Sequence, residues 1–232
     1  MKAISPSSSV RQIKEPDQSP VRILITGFVS IEPGLINASE ILIRSIMTSL
    51  PATLEVAKHH FHFRLVDTNT HSLRPHLVAL LDEVHPSECV FVGQAPGRNN
   101  ITLESTATNL RFTGPPLRPG DAPQSELIHV GGPERYGATL PHGEKMVEEL
   151  RECGIPAAIS DNAGNNLCNQ ILYEGLRYAE QHAGTSKCGF VHILALPQQV
   201  IERWPNYPFM PLDMQRQAMA IILFAVVKDV CA

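Results

Sequence analysis

Apolar and polar residues follow two rhythms along this chain, and the switches between them mark its elements. Residues 21–26 are an apolar run ending at Gly27, as a strand requires. After a loop, Ile41, Leu42, Ile46 and Leu50 recur at helical spacing. Asn37, with Glu40 three residues on, has the shape of an N-cap and a reciprocating carboxylate, so this helix is expected to begin there. Within residues 54–66 the second half alternates Phe61, Phe63 and Leu65 with His60, His62 and Arg64, which predicts a half-exposed strand. Residues 73–84 read as a helix. Residues 89–93, a short apolar run closing in glycine, fit a strand buried on both faces of a parallel sheet.

Residues 94–100 form a polar Gly/Pro loop, 101–107 look extended, and 111–137 hold so much Pro and Gly that loops or a hairpin are expected. Residues 144–153 are amphipathic and stop at Gly154, a helix end followed by a strand over 155–159. The next helix starts near Asn165 and repeats Leu167, Ile171, Leu172, Gly175, Leu176 and Ala179. A strand over 189–194 and a terminal helix over 213–230 complete the chain. Strands alternating with helices predict an α/β fold: a single three-layer α/β/α domain over residues 21–232, with a mostly parallel twisted sheet. Residues 1–20 mix Ser, Pro, Gln, Lys and Asp with few large apolar side chains and read as a flexible N-terminal tail.

Composition narrows the function classes. At 232 residues and 43% hydrophobic content the chain can bury one substantial core. A formal net charge of −4 with dispersed basic residues argues against a nucleic-acid partner. No run of about 18 apolar residues and no secretory h-region occurs, so no membrane partner and a cytoplasmic location are expected. Five cysteines, Cys89, Cys153, Cys168, Cys188 and Cys231, form an odd set without a CxxC pair, which suits free thiols. His60 and His62 share a strand face at a metal-binding spacing, but no acidic or cysteine partner lies nearby in sequence, and no metal is expected. Phosphate-cradling glycine motifs are absent as well.

One cysteine sits where chemistry could use it. The run Asn162-Ala163-Gly164-Asn165-Asn166-Leu167-Cys168-Asn169 puts a thiol just after a polar turn and within the first turn of a helix. There the unpaired N–H groups and the helix dipole are expected to stabilise a thiolate and lower its pKa toward neutrality. A plainly buried core cysteine is the alternative, although a core position has no need of three asparagines and a glycine crowded before it. A base must come from another element. His182 lies fourteen residues on along the same helix, about 21 Å away. His192, near the C-terminal end of the following strand, is the candidate, against the reading of a core histidine satisfied by one hydrogen bond. For Glu104, the pattern alone favours a solvated strand face.

Four segments resemble one family, in its own order. Ile25-Thr26-Gly27-Phe28 with Asn37 resembles the opening TGFxPFGG…NPS of the pyroglutamyl peptidase I (pyrrolidone-carboxyl peptidase) family of cysteine peptidases. Residues 93–104 resemble GxAGGRxxIxxE. Residues 154–173 resemble GIPAxxSxxAGxxxCNxxxY, and residues 189–197 resemble GFxHxPxLP. The resemblance spans roughly residues 23–200. It implies a triad of Cys168, His192 and Glu104, removal of N-terminal pyroglutamyl residues from peptides or small amides, and no metal or cofactor. It further implies Phe28, Ile31 and Leu167 in the wall of a lactam slot with Gln94 beside it, and it allows a homo-oligomer. The family's PFGG is replaced here by Ser30-Ile31-Glu32-Pro33, and its Glu-Arg by Glu104-Ser105, so a differently shaped pocket is expected. Two alternatives stand beside peptidase activity: a same-fold acyl-transfer enzyme acting on another amide or thioester, and a noncatalytic binding relative.

Overall fold

Period-two alternation divides the sheet residues between two cores. Ile23, Ile25, Val90, Val92, Val191 and Ile193 point to one side, and Leu24, Cys89, Phe91, Cys188 and Phe190 to the other, all buried. In the computed structural model, which describes residues 21–30, 34–116 and 124–230, this sorting makes a six-stranded sheet coverable on both faces. The flexible tail expected for residues 1–20 lies outside the described residues.

The strands are β1 (Ile23–Phe28), β2 (Phe61–Val66), β3 (Glu88–Gln94) and β4 (Ile101–Glu104). The short β5 (Thr106–Thr108), β6 (Arg111–Gly114), β7 (Gln124–Glu126) and β8 (Arg135–Gly137) follow, then β9 (Ala157–Ser160) and β10 (Lys187–Ile193). The helices are α1 (Ala38–Thr48), α2 (Thr70–Val84), α3 (Gly143–Glu152), α4 (Leu167–Gln181), α5 (Pro197–Glu202) and α6 (Leu212–Val230). Helices α1, α3 and α6 feed the first core and α2 and α4 the second, so three layers form.

The main sheet runs β2-β1-β3-β10-β4-β9. Pairs β1–β2, β1–β3, β3–β10 and β4–β9 are parallel, and β10–β4 is antiparallel. The sheet is therefore mostly parallel, as the sequence predicts, with one reversal beside β10. Strands β5–β8 and β6–β7 form two small antiparallel ribbons within the Pro/Gly-rich region. Arg111 belongs to the second ribbon, where its guanidinium pairs with Glu126 at 2.6 Å. Among the described residues no helix is long and apolar enough to cross a membrane.

One local expectation needs correction. Asn37 does cap α1, its side chain accepting from Ser39 N at 2.9 Å, but Glu40 does not reciprocate. Its carboxylate turns away to accept from Ser30 N at 2.8 Å and from Arg44 at 2.9 Å, holding the chain that leaves β1. The residues before β2, Ala52–His60, wind into a 3-10 segment, and α5 after β10 had no periodic signal to announce it.

Candidate active site

The reversal in the sheet brings the three expected residues toward one place. His192 lies opposite Gly93 across β10–β3, and β4 sets Thr102 opposite His192 and Glu104 opposite Phe190. Ile101 and Leu103 fill the first core, so Thr102 and Glu104 face the α4 side, the face His192 shares with Phe190. His192 Nδ1 stands 2.8 Å from Glu104 Oε1. Each of these two residues is only 3% exposed, so the solvated strand-face reading of Glu104 is wrong: a neighbour on each side encloses it.

Glu104 Oε1 accepts twice more, from Thr102 Oγ1 at 2.7 Å and from Arg98 at 2.7 Å, while Oε2 has no partner among the described residues. Burial raises the carboxyl pKa, but His192 foremost, then the Ser160 and Thr102 hydroxyls, outweigh it and hold the group below the ordinary carboxylate value. Burial pushes the His192 imidazole down; the Glu104 bond opposes this and the Arg98 charge adds to it. The ring is therefore neutral at pH 7, with its proton on Nδ1 toward the ionised Glu104 and the Nε2 lone pair free to accept another.

Cys168 is the second residue of α4, and Asn166 caps the helix, its Oδ1 accepting from Leu167 N at 2.9 Å. The sulfur is packed against β3: a Cβ built on Gly93 would lie 2.9 Å from Cys168 Sγ and 2.6 Å from Phe190 Cζ. It thus sits over the strand neighbour of His192, although among the described residues no hydrogen bond joins sulfur to imidazole. The expected thiolate is not what this setting produces. Burial pushes the thiol up to about 12, Glu104 reinforces the shift, and Arg98 and the residue's own N–H only partly oppose it. With burial and the Glu104 charge both opposing ionisation, the sulfur rests as a thiol.

Gly93 is required by this packing. Gly93→Ala is expected to displace Sγ or the Phe190 ring, lowering kcat about 100-fold and stability by about 1–3 kcal/mol. Steady-state kinetics and thermal unfolding would check both.

Of the expected slot residues, Phe28 and Leu167 pack in the same core cluster, Phe28 3% exposed and Leu167 at its edge. Gln94 Oε1 accepts from Ala38 N at 2.7 Å and from Gln199 Nε2 at 2.9 Å, so its amide N–H2 is turned away from α1. Ile31 lies outside the described residues. Sequence reasoning placed Arg98 in a family motif but gave it no role. It gave none either to Asn169, whose amide accepts from Thr108 N and donates to Thr108 O and Leu110 O, each at 2.8 Å. That clamp fastens the segment after β5 to the helix start beside Cys168.

A thiol, an imidazole and a carboxylate gathered on one face of such a sheet are the equipment of a cysteine peptidase, and comparison with known proteins bears the class out. The family model for pyroglutamyl peptidase matches residues 21–229. A pyrrolidone-carboxylate peptidase of Thermosipho africanus is 34% identical, with 90% of this chain and 98% of the relative covered. One of Oceanobacillus iheyensis is 36% identical over 84% of this chain and 94% of the relative. Among solved structures, pyroglutamyl peptidase I of Bacillus amyloliquefaciens superposes with a TM-score of 0.74 at 29% identity, covering 89% of this chain and 95% of that one. A mutant pyrrolidone carboxyl peptidase of Pyrococcus furiosus gives 0.77 at 26% identity, covering 90% and 100%. The chain belongs to the pyroglutamyl peptidase family.

Proposed function

We propose that this protein hydrolyses the amide bond after an N-terminal pyroglutamyl residue, with Cys168 as nucleophile, His192 as proton carrier and Glu104 as the group that orients His192. The observation that carries the residue assignment is the 2.8 Å bond from His192 Nδ1 to Glu104 Oε1 on the sheet face over which Cys168 Sγ is packed. Family membership supports the substrate. Phe28 and Leu167 supply an apolar wall suited to a small neutral lactam, and Gln94 presents N–H donors near the C-terminal end of β3. Four described cysteines are free, which suits a reducing cell interior.

In this mechanism His192 Nε2 takes the thiol proton as Sγ bonds to the pyroglutamyl carbonyl carbon. The N–H groups of the first α4 turn, those of Cys168 and Asn169, favour the oxyanion. His192 then gives its proton to the leaving amine, the C–N bond breaks, and a thioester remains. Water, deprotonated by His192, hydrolyses it and returns the proton to sulfur. Because the resting partners are thiol and neutral imidazole, Glu104 matters most when His192 becomes a cation.

The pH profile follows from the same state. His192 must be unprotonated, and burial holds its pKa below the ordinary imidazole value of about 6.5, so kcat/KM is expected to rise along an acid limb with its midpoint below that value. It should then stay flat from about pH 7 to about pH 9, because no proton essential to the reaction is lost there. A preformed thiolate–imidazolium pair would instead give an alkaline limb as the imidazolium deprotonates, and finding one contradicts the resting state described.

Substrate class is tested by comparing fluorogenic pyroglutamyl, prolyl and alanyl amides at equal concentration. Turnover confined to the pyroglutamyl amide supports the proposal. Turnover of none of them, with Cys168 still open to alkylation, points to the acyl-transfer alternative.

A further inference from the structure

Arg98 is bonded to both halves of the site. It follows Gly97, whose φ of +92° turns the loop after β3, and its side chain is 26% exposed. One terminal nitrogen donates to Glu104 Oε1 at 2.7 Å and to Thr102 Oγ1; the other donates to the Asn162 carbonyl at 2.8 Å. Asn162 opens the turn that leads to Cys168, and its side chain accepts from Gly164 N at 2.9 Å. A single planar guanidinium therefore links the carboxylate that holds His192 to the turn that delivers the sulfur. No direct bond joins sulfur and imidazole among the described residues, so their relative placement depends on ties of this kind.

We propose that Arg98 is a positioning residue that sets the registration of Cys168 against His192 by bridging Glu104 and the Asn162 turn, an inference that rests on the roles given to those residues above. The bridge needs two donors diverging in one plane, which arginine offers and lysine, a point charge on a flexible stem, does not. Three groups face His192: Glu104 from β4, Arg98 from the loop before it, and Cys168 from α4. Arg98 opposes protonation of His192 and favours ionisation of Cys168, so its removal leaves a signature beyond lost activity.

The test compares Arg98→Met and Arg98→Lys with the wild type in two readouts across pH: turnover of a pyroglutamyl amide, and the rate of iodoacetamide alkylation at Cys168. Arg98→Met is expected to lower kcat about 100-fold, to leave KM within about twofold, and to move the acid limb of both readouts to higher pH. Arg98→Lys keeps the charge but not the bridge, so kcat should fall on the order of tenfold with the acid limb in place. A rise in KM alone, or wild-type alkylation and an unmoved acid limb in Arg98→Met, overturns the proposal. If Arg98→Met does not fold, Arg98→Lys decides: lower kcat at constant KM supports the bridge, and wild-type kcat refutes it. If the wild type alkylates along an acid limb yet turns over no pyroglutamyl amide, the substrate assignment fails, and the alkylation profiles still decide the role of Arg98.

Discussion

Cys168→Ala is expected to lower kcat for a pyroglutamyl amide by a factor on the order of 10⁶ while leaving the fold intact. The loss is so large because every bond-making step in the proposed reaction passes through sulfur. What remains is the contribution of the first-turn N–H groups of α4 and the substrate slot, which bind and polarise the amide without attacking it. The fold survives because the side chain removed is one sulfur atom, half-buried at the start of a helix that Leu172, Tyr173 and Leu176 anchor independently. Adding His192→Ala to this variant should cost little more, since base and nucleophile act as a unit. Near-additive losses would mean that the two residues serve separate steps.

Glu104→Gln is expected to lower kcat on the order of 10³, less than the roughly 10⁴ that follows when an orienting carboxamide imposes the wrong histidine tautomer. The difference comes from Arg98 and Thr102. Both donate to Oε1, so the glutamine must place its oxygen there and keep accepting the His192 Nδ1 proton. Its NH2 then occupies the Oε2 position, where the nearby Ser160 hydroxyl can turn to accept from it, so the cost in stability is expected to stay near about 1 kcal/mol. The tautomer is retained and only the negative charge that stabilises imidazolium is lost. That charge also raises the His192 pKa, so the acid limb should move to lower pH, opposite to the shift expected for Arg98→Met. Kinetics across pH and a thermal unfolding curve would check the three parts together, and a shift to higher pH would contradict the charge assignment.

The sheet strands and the long helices were legible because period and punctuation are local. Asn37 and Gly154 mark helix ends in the chain and in the structure, the α4 start expected near Asn165 falls at the Asn166 cap, and β3 reads as doubly buried in both. Cys168 and His192 could be nominated from their places at a helix start and a strand end. Glu104 could not be chosen by pattern, because its burial is created by β10 and β9 on either side, which no local period encodes. The same limit explains the failed thiolate expectation: a helix start was visible, but the enclosing β3 backbone, Phe190 and the nearby carboxylate were not. Arg98 falls within a family motif, but no role could be read for it, for a related reason. Its partners, Thr102 and Glu104 on β4 and Asn162 just beyond β9, come together only when β4 pairs with β9, setting Glu104 opposite Ser160. Glu40 shows the converse, a correct local motif overruled by a competing donor at Ser30.

Rapid acid quenching of the enzyme with a pyroglutamyl amide, followed by peptide mapping in a mass spectrometer, observes the proposed covalent intermediate itself. One pyroglutamyl group in thioester linkage on the peptide containing Cys168, absent from Cys168→Ala, is the expected result. Acylation of a different residue, or turnover that persists in Cys168→Ala, would contradict it.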